Sequence, residues 1–323
     1  MNRAKQLRFL SLATLLAVLF LIWVGGTVRA TGAGMGCPDW PTCFGQVIPP
    51  MSEADLPADY QQRWANYGYD QVRFDPVKTW TEYLNRLTGT LIGFLALITL
   101  ILAFLRRRED GVSAWLAAGA FALVGFNGWL GAMVVETNLH SAVVTTHMLL
   151  SFGVILLLMG VVVRTRREQL AWSISDRAMV RPWLIGAMTL TILQTGFGTQ
   201  VRERVDAIAA SAGDFHARGD WLEQVGSVLS VHMALAVLVL AVNLLLWWKL
   251  RATSSDFARR GASWLLAALL AQLALGGWLV LGDLPIAGQP LHLLGAALVF
   301  TVQGWLLMTP TRQGEVGTAP TSD

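Results

Sequence analysis

The chain has 323 residues, a formal net charge of +3 at pH 7, 54% hydrophobic residues and only 14% charged residues. Apolar runs of about twenty residues exclude an ordinary soluble domain, because such runs match the ~30 Å hydrocarbon core of a bilayer. The small positive charge gives no reason to expect a nucleic-acid partner.

Eight apolar segments are long enough to span a membrane. They cover residues 7–27, 80–105, 113–135, 143–163, 182–202, 226–248, 260–282 and 288–309. Only helices or closed barrels satisfy their backbone polar groups in lipid, and segments of this length indicate helices. We therefore predict an all-α integral membrane protein with eight transmembrane helices. The first segment is interpreted as a retained helix, because residues 28–32 make a poor signal-peptide cleavage site.

Positive charge in the connecting segments predicts the orientation of these helices. Lys and Arg are dense before residue 9 and at residues 106–108, 164–181 and 249–260, which fall on alternate sides of the eight spans. The positive-inside rule places these segments and both termini in the cytoplasm. The loops predicted to lie outside the cytoplasm are then residues 28–79, 136–142, 203–225 and 283–287.

The longest of these loops, residues 28–79, contains both cysteines of the chain. Cys37 and Cys43 lie in the sequence Gly-Cys-Pro-Asp-Trp-Pro-Thr-Cys-Phe-Gly. A position outside the cytoplasm permits a disulfide, and the intervening residues can form a loop that brings the sulfurs together. Two roles stay open for the pair: a structural staple of the loop, or a redox-active pair.

The second half of the chain repeats features of the first. Gly128-Trp129-Leu130-Gly131 precedes a short loop and His147, and Gly277-Trp278-Leu279 precedes a short loop and His292. Gly-Thr-Val-Arg ends span one at Arg29, and the related Gly-Thr-Gln-Val-Arg ends span five at Arg202. Asn85 in span two corresponds to His232 in span six. These repeats predict two tandem, pseudo-symmetric four-helix bundles. The predicted parts are residues 1–170 with the loop 28–79, residues 171–310, and a disordered cytoplasmic tail at 311–323.

Three histidines, His147, His232 and His292, lie near matching ends of spans four, six and eight. Each alone could be a packing residue, but ionisable groups inside a membrane are costly and tend to mark function. His232 and His292 have similar depth on the second and fourth helices of one bundle, so we expect their imidazoles to face each other. Two imidazoles on opposite faces of a porphyrin form a bis-histidine haem site. Arg202 would meet the haem propionates.

Three motifs together with these histidines closely resemble the bacterial haem A synthase family that carries a cysteine pair in its first outer loop. The motifs are G-x-V-R-x-T-G-x-G-x-G-C-P-D-W-P-x-C at residues 26–43, E-x-x-N-R at 82–86 and G-T-Q-V-R at 198–202. The resemblance covers all eight spans. It implies an oxidoreductase that converts the C8 methyl of haem O into the formyl group of haem A for aa3-type cytochrome oxidase, with water as the oxygen source.

The resemblance also assigns roles to residues. It implies a haem b between His232 and His292 in the second bundle, and a site for haem O and its product haem A in the first, with Glu82 and His147. Members of the family commonly have a histidine where this chain has Asn85, and an amide is a poor iron ligand. The side of the haem opposite His147 would then be open or filled by water, or the first half would no longer bind haem.

Alternatives stay open for several of these residues. Glu82 is either a carboxylate beside the substrate methyl or a favourable negative charge in the first turn of a helix. Arg29 and Arg86 are either propionate partners or interfacial charges whose side chains snorkel. The cysteine pair could also handle haem. Two further histidines read as solvated loop residues, and one of them, His140, is also a candidate for the missing ligand; the other is His216.

The implied partners are haem O synthase, the cytochrome oxidase assembly machinery and the lipid bilayer of a bacterial inner membrane. A quinone is the candidate electron acceptor, and a homo-oligomer is left open. Two rival functions are a di-haem electron-transfer protein and a membrane thiol oxidoreductase. The first would need a histidine pair in both halves, which Asn85 opposes. The second would normally need another cysteine pair, and the chain has two cysteines.

Overall fold

The computed structural model describes residues 3–70, 73–166, 172–212 and 221–311, so His216 and the predicted tail from residue 312 onward lie outside the described part. The all-α prediction is confirmed for that part, which contains no β-strand. Its eight long helices are α1 (Arg3–Ala30), α2 (Pro76–Leu105), α3 (Gly111–Glu136), α4 (Ser141–Arg164), α5 (Ile174–Ala212), α6 (Ser227–Arg251), α7 (Asp256–Leu281) and α8 (Gly288–Met308).

Polar caps set the starts of three of these helices. The side chain of Asp75 accepts hydrogen bonds from the N–H groups of Val77 and Lys78, and a proline follows it at the first helical position. Asp110 and Ser255 cap α3 and α7 in the same way. Such side chains satisfy N–H groups that have no partner inside the helix. These helices therefore begin a few residues before the apolar segments that predicted them.

Seven of the eight long helices are apolar enough to cross a membrane by length and composition, which identifies a multi-pass membrane protein. The exception is α5, the longest, with 39 residues. It contains the predicted span 182–202 but carries Pro182 and three buried threonines, Thr191, Thr195 and Thr199. These threonines lower the mean hydropathy of α5. Because their hydroxyls lie on its packed face, they are not exposed to lipid.

The same order of helix neighbours occurs twice. In the first half α1 packs against α2 and α4, and α3 packs against both of these; in the second half α5 packs against α6 and α8, and α7 packs against both. The halves meet where α4 contacts α5 and α8, and where α1 contacts α8. Phe152 of α4 stacks on Phe300 of α8 with ring centroids 4.6 Å apart, inside a buried apolar cluster.

The loop between α1 and α2 has a small core of its own. Phe44 makes edge-to-face contacts with four aromatic rings, which belong to Tyr60, Trp64, Tyr69 and Phe74. Cys37 and Cys43 lie in this cluster and are joined by a disulfide, so the predicted pairing is confirmed. Aromatic packing and the covalent link together hold the loop against the first turns of α2.

Candidate functional site

Each histidine of the second half lies against a glycine of the preceding long helix. A Cβ built on Gly198 of α5 would lie 3.2 Å from Cε1 of His232, and a Cβ on Gly276 of α7 would lie 3.2 Å from Cε1 of His292. Real Cβ atoms rarely come so close to a neighbour. The absence of a side chain at both glycines therefore gives each imidazole its place between two helices.

A glutamine stands four residues before each of these glycines, on the same helix face. The side-chain amide nitrogen of Gln194 lies 3.3 Å from Nε2 of His232, and that of Gln272 lies 3.3 Å from Nε2 of His292. Nδ1 of both histidines and Oε1 of both glutamines are buried and have no hydrogen-bond partner in the described part of the chain. Buried polar atoms are normally satisfied, so this region has hydrogen-bonding capacity that the protein alone does not fill.

The residues of this region fit a haem group. Neutral imidazoles are suitable axial ligands for haem iron, and His232 and His292 stand on α6 and α8, which both flank α5 and α7. The glycines supply space at the histidines, and the glutamine amides supply polar groups beside them. The sequence-based search missed both glutamines, although the repeated spacing of an amide side chain four residues before a glycine could have revealed them.

His147 has a related environment in the first half. A Cβ on Gly131 of α3 would lie 3.4 Å from Cε1 of His147, and Nδ1 of His147 is 2.9 Å from the backbone oxygen of Asn127. A carbonyl oxygen can only accept, so Nδ1 carries the proton and Nε2 keeps its lone pair for a metal ion. Asn127 also stands four residues before the glycine.

Asn85 occupies the fourth such position. Its Oδ1 atom lies 3.6 Å from a Cβ built on Gly25 of α1, an ordinary contact distance, and it is buried without a hydrogen-bond partner. Four residues before Gly25 stands Leu21 rather than an amide residue. The α1–α2 pair therefore has the glycine but neither the histidine nor the polar side chain.

The structure corrects the register of the sequence repeat. The sequence comparison aligned the Gly-Trp pairs that begin at Gly128 and Gly277. In the structure Gly131 and Gly276 are equivalent, because each faces the histidine of the next helix. Gly277 has no atom within 4 Å of a built Cβ. The contacts with the histidines, and not the tryptophans, define the repeat.

Glu82 lies beneath the cysteine loop and is only 3% exposed. Its Oε2 accepts a hydrogen bond of 2.8 Å from the backbone N–H of Cys37, and its Oε1 pairs with Arg86. Since α2 begins at Pro76, Glu82 lies in the second turn and not the first. The helix-dipole explanation therefore loses its basis, because that effect is concentrated in the first turn.

Arg86 holds the backbone of the cysteine loop. Its Nη1 donates to the carbonyl oxygens of Asp39 and Thr42 at 2.5 and 3.0 Å, and its Nη2 donates to that of Cys37 at 3.0 Å. The remaining N–H groups, on Nε and Nη2, donate to Glu82. A guanidinium has five N–H donors, and all of them are used here. In this arrangement the loop backbone and Glu82 engage every N–H group of Arg86.

Arg29 and Arg202, the other predicted propionate partners, meet at one carboxylate. Arg29 pairs with Asp206 at 2.9 Å, and Arg202 pairs with the same Asp206 and with Gln289. Arg202 also donates to the backbone oxygen of Arg29 at 3.0 Å, while its buried Nε has no partner among the residues that the structure describes. The cluster joins α1, α5 and α8. It escaped the sequence-based prediction because α5 continues to residue 212, so Asp206 is helical and not part of a loop.

The remaining predicted residues lie at the edge of this region. His140 is the N-cap residue of α4 and is exposed, which agrees with a solvated residue. Both disulfide cysteines are fully buried under aromatic rings. In the same loop, burial raises the pKa of Tyr69, whose hydroxyl donates to the backbone oxygen of Met35. The loop is therefore a packed substructure at the end of the first half.

Comparisons with known proteins agree with this arrangement. Residues 8–303 match the sequence model of the COX15-CtaA family, described as cytochrome oxidase assembly protein. A protein of Shewanella oneidensis named heme A synthase is 26% identical over 91% of this chain and 93% of its own. Proteins with the same name from Nitrosomonas eutropha and Symbiobacterium thermophilum are 27% and 28% identical, over 90% and 89% of this chain and 89% and 90% of their own.

Proposed function

The chain belongs to the COX15-CtaA family of cytochrome oxidase assembly proteins, and on this premise we propose that it is a haem A synthase. It oxidises one methyl group of haem O to the formyl group of haem A, the haem of aa3-type cytochrome oxidase. The observation that carries the proposal is a match of nearly the whole chain to this family and to proteins named heme A synthase. The histidines against interhelical glycines support it.

We propose eight membrane-spanning helices in two tandem, pseudo-symmetric four-helix bundles, residues 1–170 and 171–310. The repeated order of helix neighbours supports this division. The protein would lie in the bacterial inner membrane with both termini in the cytoplasm, because the Arg-rich connections alternate with the loops that carry the cysteines and the histidine-bearing helix ends. Haem O synthase and the oxidase assembly machinery would be its partners, and self-association is left to experiment.

The second bundle would hold a haem b as resident cofactor through His232 and His292. Bound there, haem b supplies one-electron transfer between the substrate and an outside acceptor, for which a quinone is our candidate. The amide nitrogens of Gln194 and Gln272 lie beside Nε2 of these histidines, and they would give up this contact where Nε2 binds iron. Arg202 retains a buried Nε donor without a partner, so it is the arginine best able to meet a propionate; Arg29 would assist it.

The first bundle would be the substrate site, with His147 as the residue that holds haem O. Conversion of a methyl into a formyl group takes one oxygen atom from water and releases four electrons and four protons, so a proton acceptor is required. Glu82 is the buried carboxylate nearest in sequence to the Asn85 position, only one helical turn away, and it would take up protons there. In its resting arrangement it anchors the cysteine loop through Cys37 and Arg86.

The rival functions receive less support from the contacts. A di-haem electron-transfer protein would need two ligand positions in each half, and the α1–α2 pair offers an amide. A thiol oxidoreductase would need access to its sulfur atoms, but both are buried beneath the aromatic cluster. We therefore propose that the disulfide stabilises the loop structurally.

The decisive experiment is extraction of haem from the full chain produced together with haem O synthase in a host that makes no haem A. We expect haem A to form and haem B to copurify. The matched variants are His147→Ala, which should abolish haem A formation, and His140→Ala, which should not. If the wild-type chain accumulates haem O and no haem A while oxygen and quinone are present, the proposed activity is wrong.

A further inference from the structure

Three of four equivalent helix pairs share one arrangement of side chains, and the fourth departs from it. In three pairs an amide residue stands four positions before a glycine, and the glycine faces a histidine on the next long helix. These sets are Asn127, Gly131 and His147; Gln194, Gly198 and His232; and Gln272, Gly276 and His292. The histidine contacts the side-chain amide in the last two sets and the backbone oxygen of Asn127 in the first. The α1–α2 pair has Leu21, Gly25 and Asn85 instead.

The departure affects two positions on two different helices. Besides Asn85 on α2, α1 carries Leu21 in place of an amide residue. Leu21 packs towards α2, with its Cδ2 3.9 Å from a Cβ built on Gly89. Gly89 lies one turn beyond Asn85, on the same face of α2. An apolar contact therefore stands where the second half has polar groups beside an imidazole.

Asn85 keeps one feature of the site, a buried polar atom next to the glycine. Its Oδ1 has no hydrogen-bond partner among the described residues. A buried amide oxygen is costly unless it accepts a hydrogen bond. An amide oxygen binds iron poorly, but it is a good acceptor for the O–H group of water.

From this pattern we propose that the α1–α2 pair is a non-ligating corner. The first half holds its haem through His147 alone, and Asn85 provides a hydrogen-bond acceptor for water where the other three pairs provide an imidazole. This inference rests on the proposed function for the presence of a haem in the first half. Leu21 is compatible with this inference, because α2 has no imidazole that an amide of α1 would contact.

The test exchanges the two corners between the halves. Leu21→Gln with Asn85→His gives α1–α2 the second-half pattern, and Gln194→Leu with His232→Asn gives α5–α6 the first-half pattern. Each full-length variant is purified in detergent and titrated with ferric haem B as the probe. Electron paramagnetic resonance counts the bis-histidine haems. We expect about one per chain in the wild type, about two in the first variant and about none in the second.

Two further variants keep the test decisive. Leu21→Met with Asn85→Gln changes the same positions without adding an imidazole and should stay at the wild-type count. Asn85→His alone should also gain the second bis-histidine signal, with weaker haem binding, if the double variant does not fold. A wild-type count of about two would overturn the inference. The inference would also be overturned if both Asn85→His variants bound the same number of bis-histidine haems per chain as the wild type.

The result separates the inference from the proposed function, because the count of bis-histidine haems does not depend on turnover. A wild-type chain that makes haem A, with no gain of signal in the Asn85→His variants, would remove the inference alone. A wild-type chain that makes no haem A, with a gain of signal in the first exchange, would remove the proposed function and support the non-ligating corner.

Discussion

The two halves of the chain share an order of helix contacts but differ at their histidine-bearing ends. The second half places His232 and His292 each against a glycine with a glutamine amide beside it. In the first half only His147 lies against a glycine, and its partner is the backbone oxygen of Asn127. This half also has a disulfide-bonded loop closed on the buried Glu82–Arg86 pair. Three residues before His232, where Glu82 would correspond, the second half has Leu229, which packs in an apolar cluster.

This difference teaches how a duplicated helix bundle can acquire two tasks. The packed helices and the interhelical glycines recur in both halves, because any large planar group between helices needs that space. The buried Glu82–Arg86 pair and the disulfide-bonded loop that it anchors belong to the first half. A symmetric pair of ligands suits a resident electron carrier, whereas one ligand and a buried carboxylate suit a site where a substrate must be approached by water.

The largest expected effect concerns the two histidines of the second half. His232→Ala or His292→Ala should remove the low-spin b-type optical spectrum completely, because each replaces one of two axial ligands. Spectra of the purified protein measure this directly. His140→Ala, which changes an exposed residue at the start of α4, is the control and should leave the spectrum intact. An unchanged spectrum in either membrane histidine variant would contradict the haem b assignment.

The next effect concerns Glu82, the buried carboxylate beneath the cysteine loop of the first half. Glu82→Gln should keep the b-type haem and slow haem A formation by ~10²–10⁴, the usual contribution of general acid–base catalysis. The glutamine oxygen can still accept from the N–H of Cys37, so the loop should stay in place. Haem extraction over a time course gives the rate.

The control for Glu82→Gln is Gln46→Ala, which removes an exposed hydrogen bond of 2.9 Å to the backbone oxygen of Asp55 within the same loop. It should form haem A at the wild-type rate. A wild-type rate in Glu82→Gln as well would show that Glu82 serves the loop structure alone.

The glycines sharpen the comparison between the halves. Gly198→Ala and Gly276→Ala should each weaken haem b binding by about 10–100-fold, since the added methyl displaces the imidazole that it meets. Gly25→Ala should be tolerated, because its Cβ would meet Asn85 at an ordinary distance of 3.6 Å. Haem titration measures the affinities. Gly277→Ala, next to Gly276 but without a close neighbour, is the matched control, and an equal loss of affinity there would contradict the explanation.

The smallest effect concerns the disulfide of the first half. Replacement of both Cys37 and Cys43 by serine should lower the free energy of unfolding by about 2 kcal/mol, the value expected for a short closed loop. Thermal unfolding of the detergent-solubilised protein measures this loss. The b-type spectrum of the second half should not change. Haem A formation should persist in the folded fraction; its complete loss there would indicate a redox role.

Several features could be predicted from the sequence because they depend on local properties. Hydropathy located the helices, since each must cover the thickness of a bilayer with apolar side chains. The presence of both cysteines in one loop predicted the disulfide between them. The family motifs identified the histidines, which lie close to the glycines that accommodate them. The exception among the helices, α5, shows the limit of hydropathy: its polar residues are acceptable only because the neighbouring helices cover them.

Apolar length, motif spacing and the cysteine pair by themselves determined the helical membrane class and the family, and they singled out the candidate histidines. Only the tertiary structure decided which glycine faces which histidine. It also showed that Arg86 donates to the backbone of the cysteine loop, and that Asp206 joins arginines of both halves. The physical reason is that these contacts join residues far apart in the chain. Their distances follow from helix packing, which no local pattern of residues specifies.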